Sequence, residues 1–143
     1  MIEMTFKAAK GGFFDREKVK RSVNAGTRRV LSKFGAFVRQ RAKTSIRKKK
    51  GISPPGSPPY SHTGLLRKFI LFAYDPQRRS VVIGPTLIKE GSRVPRLLEY
   101  GGNVVIEDRG RKRLARYRPR PYMRPAFAAE MSQLPALWRN SIR

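Results

Sequence analysis

The sequence predicts an α+β domain: a long N-terminal helix packed on a small, mostly antiparallel β-sheet, with a short C-terminal helix. Three observations carry that expectation. Apolar or small residues recur at spacings of three and four from Val19 to Ile46. Short β-prone runs alternate with turn residues through the middle of the chain. A proline-punctuated arm, from Pro119 to Pro125, leads into a final stretch of helical periodicity. The chain has 143 residues, enough for one domain with a modest core, and no internal repeat divides it.

Ile2 to Lys7 reads as a short strand ending at Gly11-Gly12. Asp15 is placed to cap a helix and Glu17 to support the positive end of its dipole. The helix then runs from about residue 15 to 47. Val19, Val23, Gly26, Val30, Phe34, Phe37, Val38, Ala42 and Ile46 form one stripe, and Lys18, Lys20, Arg21, Arg28, Arg29, Lys33, Arg39, Arg41 and Lys43 form the other face. Gly26 and Gly35 each weaken it by about 1 kcal/mol relative to alanine, so they mark close packing or a bend. A helix this long exceeds what so short a chain can cover, and part of its stripe (Val30, Phe34, Phe37) is expected to meet another chain.

Arg47-Lys48-Lys49-Lys50 ends the helix. The loop 51–60 follows, with Pro54, Pro55, Pro58 and Pro59 excluding both helix and central strand. It lies within the single domain 1–143. Leu65 to Tyr74 reads as a strand, Asp75-Pro76-Gln77 as a turn, and Ser80 to Gly84 as the returning strand, stopped by Pro85. Residues 86–93 read as a loop, Val94–Tyr100 as a short helical turn before Gly101-Gly102, and Val104–Ile106 as a strand. Residues 107–113 make a polar hairpin tip from which Leu114–Tyr117 returns. In the C-terminal segment, Pro125 suits a first helical turn, Phe127, Met131, Leu134 and Trp138 mark an apolar face, and Pro135 should bend or restart the helix.

Charge is the loudest feature of the composition: 33 Lys and Arg against 9 Asp and Glu give a net +24. Such a surplus repels itself and favours a polyanion, an acidic protein surface or a crowded assembly. It names a class of partner and no activity. With no cysteine in the chain, disulfides, thiolate chemistry and cysteine zinc sites are excluded. No apolar run approaches the ~20 residues that span a bilayer. The N-terminus has no long apolar core followed by a small-residue cleavage site, so a cytoplasmic protein is expected.

Few residues invite a catalytic reading. Ser61 and His62 are adjacent, but a nucleophile needs a base within hydrogen-bond reach and a third group to orient it, and the chain has a single histidine. Thr63-Gly64 suits a turn. Acidic residues form no cluster that would hold a metal or supply an acid/base pair. No enzyme activity and no cofactor are expected. Glu99 stands among apolar residues, far from other acids, and should be paired; Arg67 and Arg124 are the candidate partners. The basic runs Arg47, Lys48, Lys49, Lys50 and Arg109, Arg111, Lys112, Arg113 lack interleaved aromatics, so any nucleic-acid contact would be with phosphates and independent of sequence.

Four segments, in order, then acquire a joint meaning: Ser61-His62-Thr63-Gly64-Leu65-Leu66-Arg67, Val82-Ile83-Gly84-Pro85, Leu97-Leu98-Glu99-Tyr100-Gly101-Gly102 and Arg120-Pro121-Tyr122-Met123-Arg124-Pro125-Ala126-Phe127. With the preceding long helix they resemble the tail-completion or head–tail joining proteins of long-tailed bacteriophages, over about residues 15 to 142. The Pro-rich loop is longer than the minimal pattern of that family, and the chain is more basic. The resemblance implies a structural virion protein of the phage neck, assembled in the host cytoplasm as a homo-oligomeric, hexameric ring. Its implied partners are the head connector or stopper and the tail terminator or tail-tube proteins, with genomic DNA passing through an open channel. It also implies that the helix stripe and the C-terminal arm (Val30, Phe34, Phe37, Glu99, Tyr100, Pro121, Tyr122, Arg124, Pro125, Phe127 and Trp138) carry subunit contacts. The two basic runs would then face DNA or an acidic partner. A general basic nucleic-acid-binding module, ribosomal or nucleoid in type, explains the charge equally well but leaves the ordered motifs without a role; a tail terminator or stopper is the alternative within the neck.

Overall fold

A single helix, α1 (Arg16–Ser45), sets the frame on which the rest of the chain is laid. At ~1.5 Å per residue it is about 45 Å long. In this computed structural model residues 15–86, 93–139 and 141–142 are described; the expected strand Ile2–Lys7 and most of the expected loop 86–93 lie outside them. Asp15 caps α1 as its sequence position implied, its carboxylate accepting from the Lys18 amide at 3.0 Å, and Ile46 ends the helix in extended geometry. The buried side of α1 is Gly26, Val30, Phe34, Gly35, Val38 and Ala42, while Val19 and Val23 near its start remain exposed.

Both helix glycines are sites of close approach. A methyl group at Gly35 would stand 2.8 Å from Val81 Cγ2 and 2.9 Å from Phe72 Cδ2, so the glycine lets the first hairpin lie against the helix. A methyl group at Gly26 would stand 3.0 Å from the Ser141 carbonyl oxygen, where the C-terminal tail returns to α1. Arg29 Nη1 donates to that same carbonyl.

The chain next forms a single helical turn, α2 (Leu65–Lys68), before strand β1 (Ile70–Asp75). The strand expected from Leu65 therefore starts five residues later. Gly64 sits at φ +79°, its amide bonds the Ser61 hydroxyl, and its carbonyl accepts from the Lys68 amide; these bonds wind Leu65–Lys68 into a turn. Strand β2 (Ser80–Pro85) pairs antiparallel with β1 in the register Ile70↔Pro85 to Asp75↔Ser80. Asp75 Oδ1 accepts from the Gln77 and Arg78 amides and shapes the loop between them.

Helix α3 (Val94–Tyr100) ends at Gly101, whose φ of +71° a side chain would resist. Strands β3 (Gly102–Asp108) and β4 (Arg111–Tyr117) make a second antiparallel hairpin. The polar tip expected over 107–113 is shorter than that: only Arg109 and Gly110 lie between the strands. The two hairpins do not join, so the antiparallel structure is two separate two-stranded sheets. Helix α4 (Met123–Met131) and the short α5 (Leu134–Trp138) complete the chain, with Pro135 in the first turn of α5 where the helix restarts.

One core joins these parts. Phe34, Val38, Ala42 and Ile46 from the α1 side meet Ile70, Tyr122 and Ala126, with Leu66, Val81, Ile83, Leu98, Met123, Leu134 and Leu137 packed around them. The buried face of α4 is Tyr122, Ala126 and Glu130, spaced by four. Phe127 and Trp138, expected on the apolar face of the C-terminal segment, are 45% and 39% exposed in the single chain. Phe127 keeps one edge on the core, its ring 5.5 Å from that of Phe34 at 84°. The face that wins burial contains an acid because Glu130 is paired with Arg41 of α1, which offsets the cost of removing its charge from water.

Candidate functional site

The segment between β4 and α4, residues 118–122, is extended and held from three sides. Its prolines explain the geometry, since Pro119 and Pro121 bias the residues before them away from helix. On one side lies the Pro-rich loop: Gly56 donates to the Pro119 carbonyl at 2.9 Å, and Arg120 Nε donates to the Ser53 carbonyl at 2.8 Å. On another lies α3, where the Leu98 carbonyl accepts from the Arg120 amide. The third constraint is Glu99.

Glu99 closes the arm onto the fold. Its Oε2 accepts from the Tyr122 and Met123 amides at 3.0 and 3.1 Å, and its Oε1 accepts from the Arg124 amide at 2.8 Å. These amides open α4, whose first N–H groups have no partner within the helix. Tyr122, at the N-cap position, has no side-chain cap of its own. A carboxylate from α3 thus supplies the cap, and its negative charge faces the positive end of the α4 dipole. Sequence reasoning expected an arginine side chain as the partner, Arg67 or Arg124. The structure places the backbone there instead: Glu99 engages Arg124 through its amide, and among the described residues the ion pairs are Arg41–Glu130 and Arg78–Asp75.

Tyr122 sits below this cap, almost wholly buried. Burial, and then the negative charge of Glu99, push its hydroxyl well above the ordinary phenol range. On α1, burial followed by the charges of Arg39 and Arg67 holds the Lys43 ammonium below its ordinary range. Arg39 also donates through Nε to the Ile70 carbonyl, fixing the start of β1 on the helix.

Ser61 and His62 do not face each other as nucleophile and base. The Ser61 hydroxyl accepts from the Gly64 amide, and His62 Nε2 lies 3.0 Å from the Gly51 carbonyl. Ser61 instead does turn work beside Thr63, whose Oγ1 lies near the Leu65 amide, and its own amide donates to the Arg47 carbonyl to close the Pro-rich loop at its base.

The other sequence-derived site residues separate into two groups. Val30, Phe34 and Tyr122 are buried within the chain and have no surface to give a partner, which corrects their assignment as contact residues. Glu99 and Pro121 are half-buried, with Glu99 committed to α4. Phe37, Tyr100, Arg124, Pro125, Phe127 and Trp138 are exposed. Lys33 stands over the Phe37 ring. The basic runs remain on the surface in two places. Arg47, Lys48, Lys49 and Lys50 follow α1, with Lys49 Nζ 5.3 Å from the centre of the Tyr60 ring; Arg109, Arg111, Lys112 and Arg113 surround the tip of the second hairpin.

Sequence reasoning missed Ser53, Arg120, Arg41 and Glu130. Each acts across a long separation in the chain: Arg120 on a carbonyl of the Pro-rich loop, Arg41 on Glu130 between α1 and α4. No local motif announces such pairs. The one available signal was the position of Glu130, four residues after Ala126 and eight after Tyr122, on a face otherwise uncharged.

No protein-family model, curated protein or solved structure matches this chain.

Proposed function

We propose that the chain is a structural subunit of the neck of a long-tailed bacteriophage, a tail-completion or head–tail joining protein that works as a homo-oligomeric, hexameric ring. One observation carries the reading. The four ordered segments that resemble that family contribute Leu66, Ile83, Leu98, and Tyr122 with Met123 and Ala126, and all of these pack into the same core against α1. Residues scattered over some sixty positions of sequence thus serve a single closure, which Glu99 completes. Their order along the chain has a physical reason: together they specify a fold.

The role is mechanical. The ring gives the tail its head-proximal end, offers a matching surface to the head connector, and leaves a channel for DNA. Large apolar side chains left exposed on the single chain, among them Tyr100, Phe127 and Trp138, supply surface for neighbours. The exposed basic runs meet acidic partner surfaces or passing phosphates. Electron microscopy of the purified protein tests the reading: closed rings of uniform size are expected, and a chain that stays monomeric at every concentration contradicts it.

A further inference from the structure

The second hairpin stands apart from the rest of the protein. Its strands pair with each other along their whole length, from Gly102↔Tyr117 to Asp108↔Arg111, but neither packs broadly on a helix or on the first hairpin. Beside α3 it leaves an apolar cleft of about 370 Å³, lined by Leu97, Leu98, Val104 and Ile106 among others. A lone two-stranded hairpin is marginal in water. Its two outer edges also carry backbone groups with no strand to bond.

The turn fixes which groups point outward. Arg109 and Gly110 have φ of +50° and +77°, the two left-handed positions of a type I′ turn, so Asp108↔Arg111 is a hydrogen-bonded pair. Alternation along the ladder then makes Val105↔Leu114 a pair whose N–H and C=O groups face the outer edges. The same two residues are the most exposed large apolar ones of the hairpin, at 59% and 72%, ahead of Tyr117 at 38%. Charge divides the strands as well. β3 carries Glu107 and Asp108 and no cation, whereas β4 carries Arg111, Lys112, Arg113 and Arg116 and no anion. Among the described residues neither acid has a salt-bridge partner: the ion pairs there are Arg41–Glu130 and Arg78–Asp75.

We infer that the β3 edge of one copy pairs antiparallel with the β4 edge of the next copy of this chain, so that successive hairpins join into one sheet. The inference rests on the ring reading and names the strands that make the ring contact. Hairpins set side by side with their tips level run antiparallel where β4 meets the neighbouring β3. This brings Glu107 and Asp108 beside Arg111–Arg113 of the next copy, and Val105 beside Leu114. Antiparallel pairing of like edges would leave Glu107 and Asp108 beside Asn103 and Gly102 of the neighbour with no cation to meet, and would set Lys112 beside Arg116, which is unfavourable. Because the two edges differ, the contact is heterologous, and in the ring its repeated rotation closes. Closure leaves no edge open and places opposite charges where a chain of net +24 most needs them.

Single-cysteine variants test this, since the natural chain has none to interfere. Full-length Val105→Cys and Leu114→Cys proteins, one of them mass-tagged, are mixed, allowed to assemble and treated with a short thiol-specific crosslinker. The expected product joins Val105→Cys of one copy to Leu114→Cys of another, well above either self-linked species. Val105→Pro removes an outward N–H that the β3–β4 ladder does not use, and loss of assembly is expected with the monomer's circular dichroism retained; Val105→Thr keeps the N–H and should still assemble. Self-linked products in place of the mixed one, or an intact assembly of Val105→Pro, overturn the inference and leave the ring standing. A natural chain that never assembles overturns both.

Discussion

At the scale of single residues, a carboxylate half-buried among backbone amides does what a helix cannot do for itself. Glu99 holds two oxygens against three successive N–H groups at the start of α4, and hydrogen bonds to a charged acceptor are each worth roughly 1.5–3 kcal/mol. Glu99→Gln keeps the shape but loses the charge and turns one acceptor into a donor aimed at an amide. It should lower unfolding stability by about 2 kcal/mol, read as a shift in urea midpoint at unchanged slope. An unaltered midpoint would show that the cap does not anchor the arm. Tyr122 gives a second test through pH. Its phenol is raised in the folded chain above the ~10 of an unfolded tyrosine, so the unfolded state loses its proton first as pH rises. The stability from keeping Tyr122 neutral is complete below about pH 10 and falls away above it. Urea midpoints measured from pH 9 to 11 should therefore fall less steeply for Tyr122→Phe than for the natural chain, and parallel curves would contradict the assignment. Neither role was legible from residue type alone: the sequence marks Glu99 as an acid needing a partner, but backbone donors belong to every residue and point nowhere until the fold exists.

At the scale of elements, α1 is the surface on which the first hairpin and α4 are laid. Gly35 is a place where α1 and the first hairpin approach closely. Alanine there would gain about 1 kcal/mol of helix propensity but would force its methyl into Val81 and Phe72, and overpacking of that kind costs ~1–3 kcal/mol. Gly35→Ala is expected to be about 1 kcal/mol less stable on balance. A variant more stable than the natural chain would mean that the glycine is not a packing requirement. The elements themselves were largely readable. Spacing of three and four gave α1 to within two residues at either end, and Asp75-Pro76 with alternating apolar residues gave the first hairpin. Less readable was anything decided by competition between neighbours. Leu65-Leu66 is apolar in either conformation, and Gly64 at positive φ settles it as a helical turn. Strand patterns say nothing of which edges meet, so two separate hairpins and one sheet look alike in sequence. The apolar face marked by Phe127 and Met131 is one position away from the face of α4 that is buried, Ala126 and Glu130, and the pairing of Glu130 with Arg41 makes that face available.

At the scale of the whole molecule, the surplus of positive charge has no internal answer. Of the nine acids in the sequence, Glu99 and Glu130 are committed inside the fold. The isolated chain should therefore bind duplex DNA without sequence preference, with affinity falling steeply as salt rises because each phosphate contact releases counterions. Replacing Arg109, Arg111, Lys112 and Arg113 by glutamine should flatten that dependence, and a response to salt already flat in the natural chain would remove phosphate from the list of partners. The same charge opposes self-association, so a ring must bury apolar surface and match acid to base where copies meet. The ordered motifs that build the core, the acid-capped arm and the unpartnered hairpin all fit a subunit whose fold is finished alone but whose surface is finished by neighbours. Imaging of the mature particle by electron cryomicroscopy tests this most directly. A closed ring of this chain is expected at the junction of head and tail, with β3 and β4 of adjacent copies in one sheet. A monomer in the particle, or a chain absent from the neck, would contradict it.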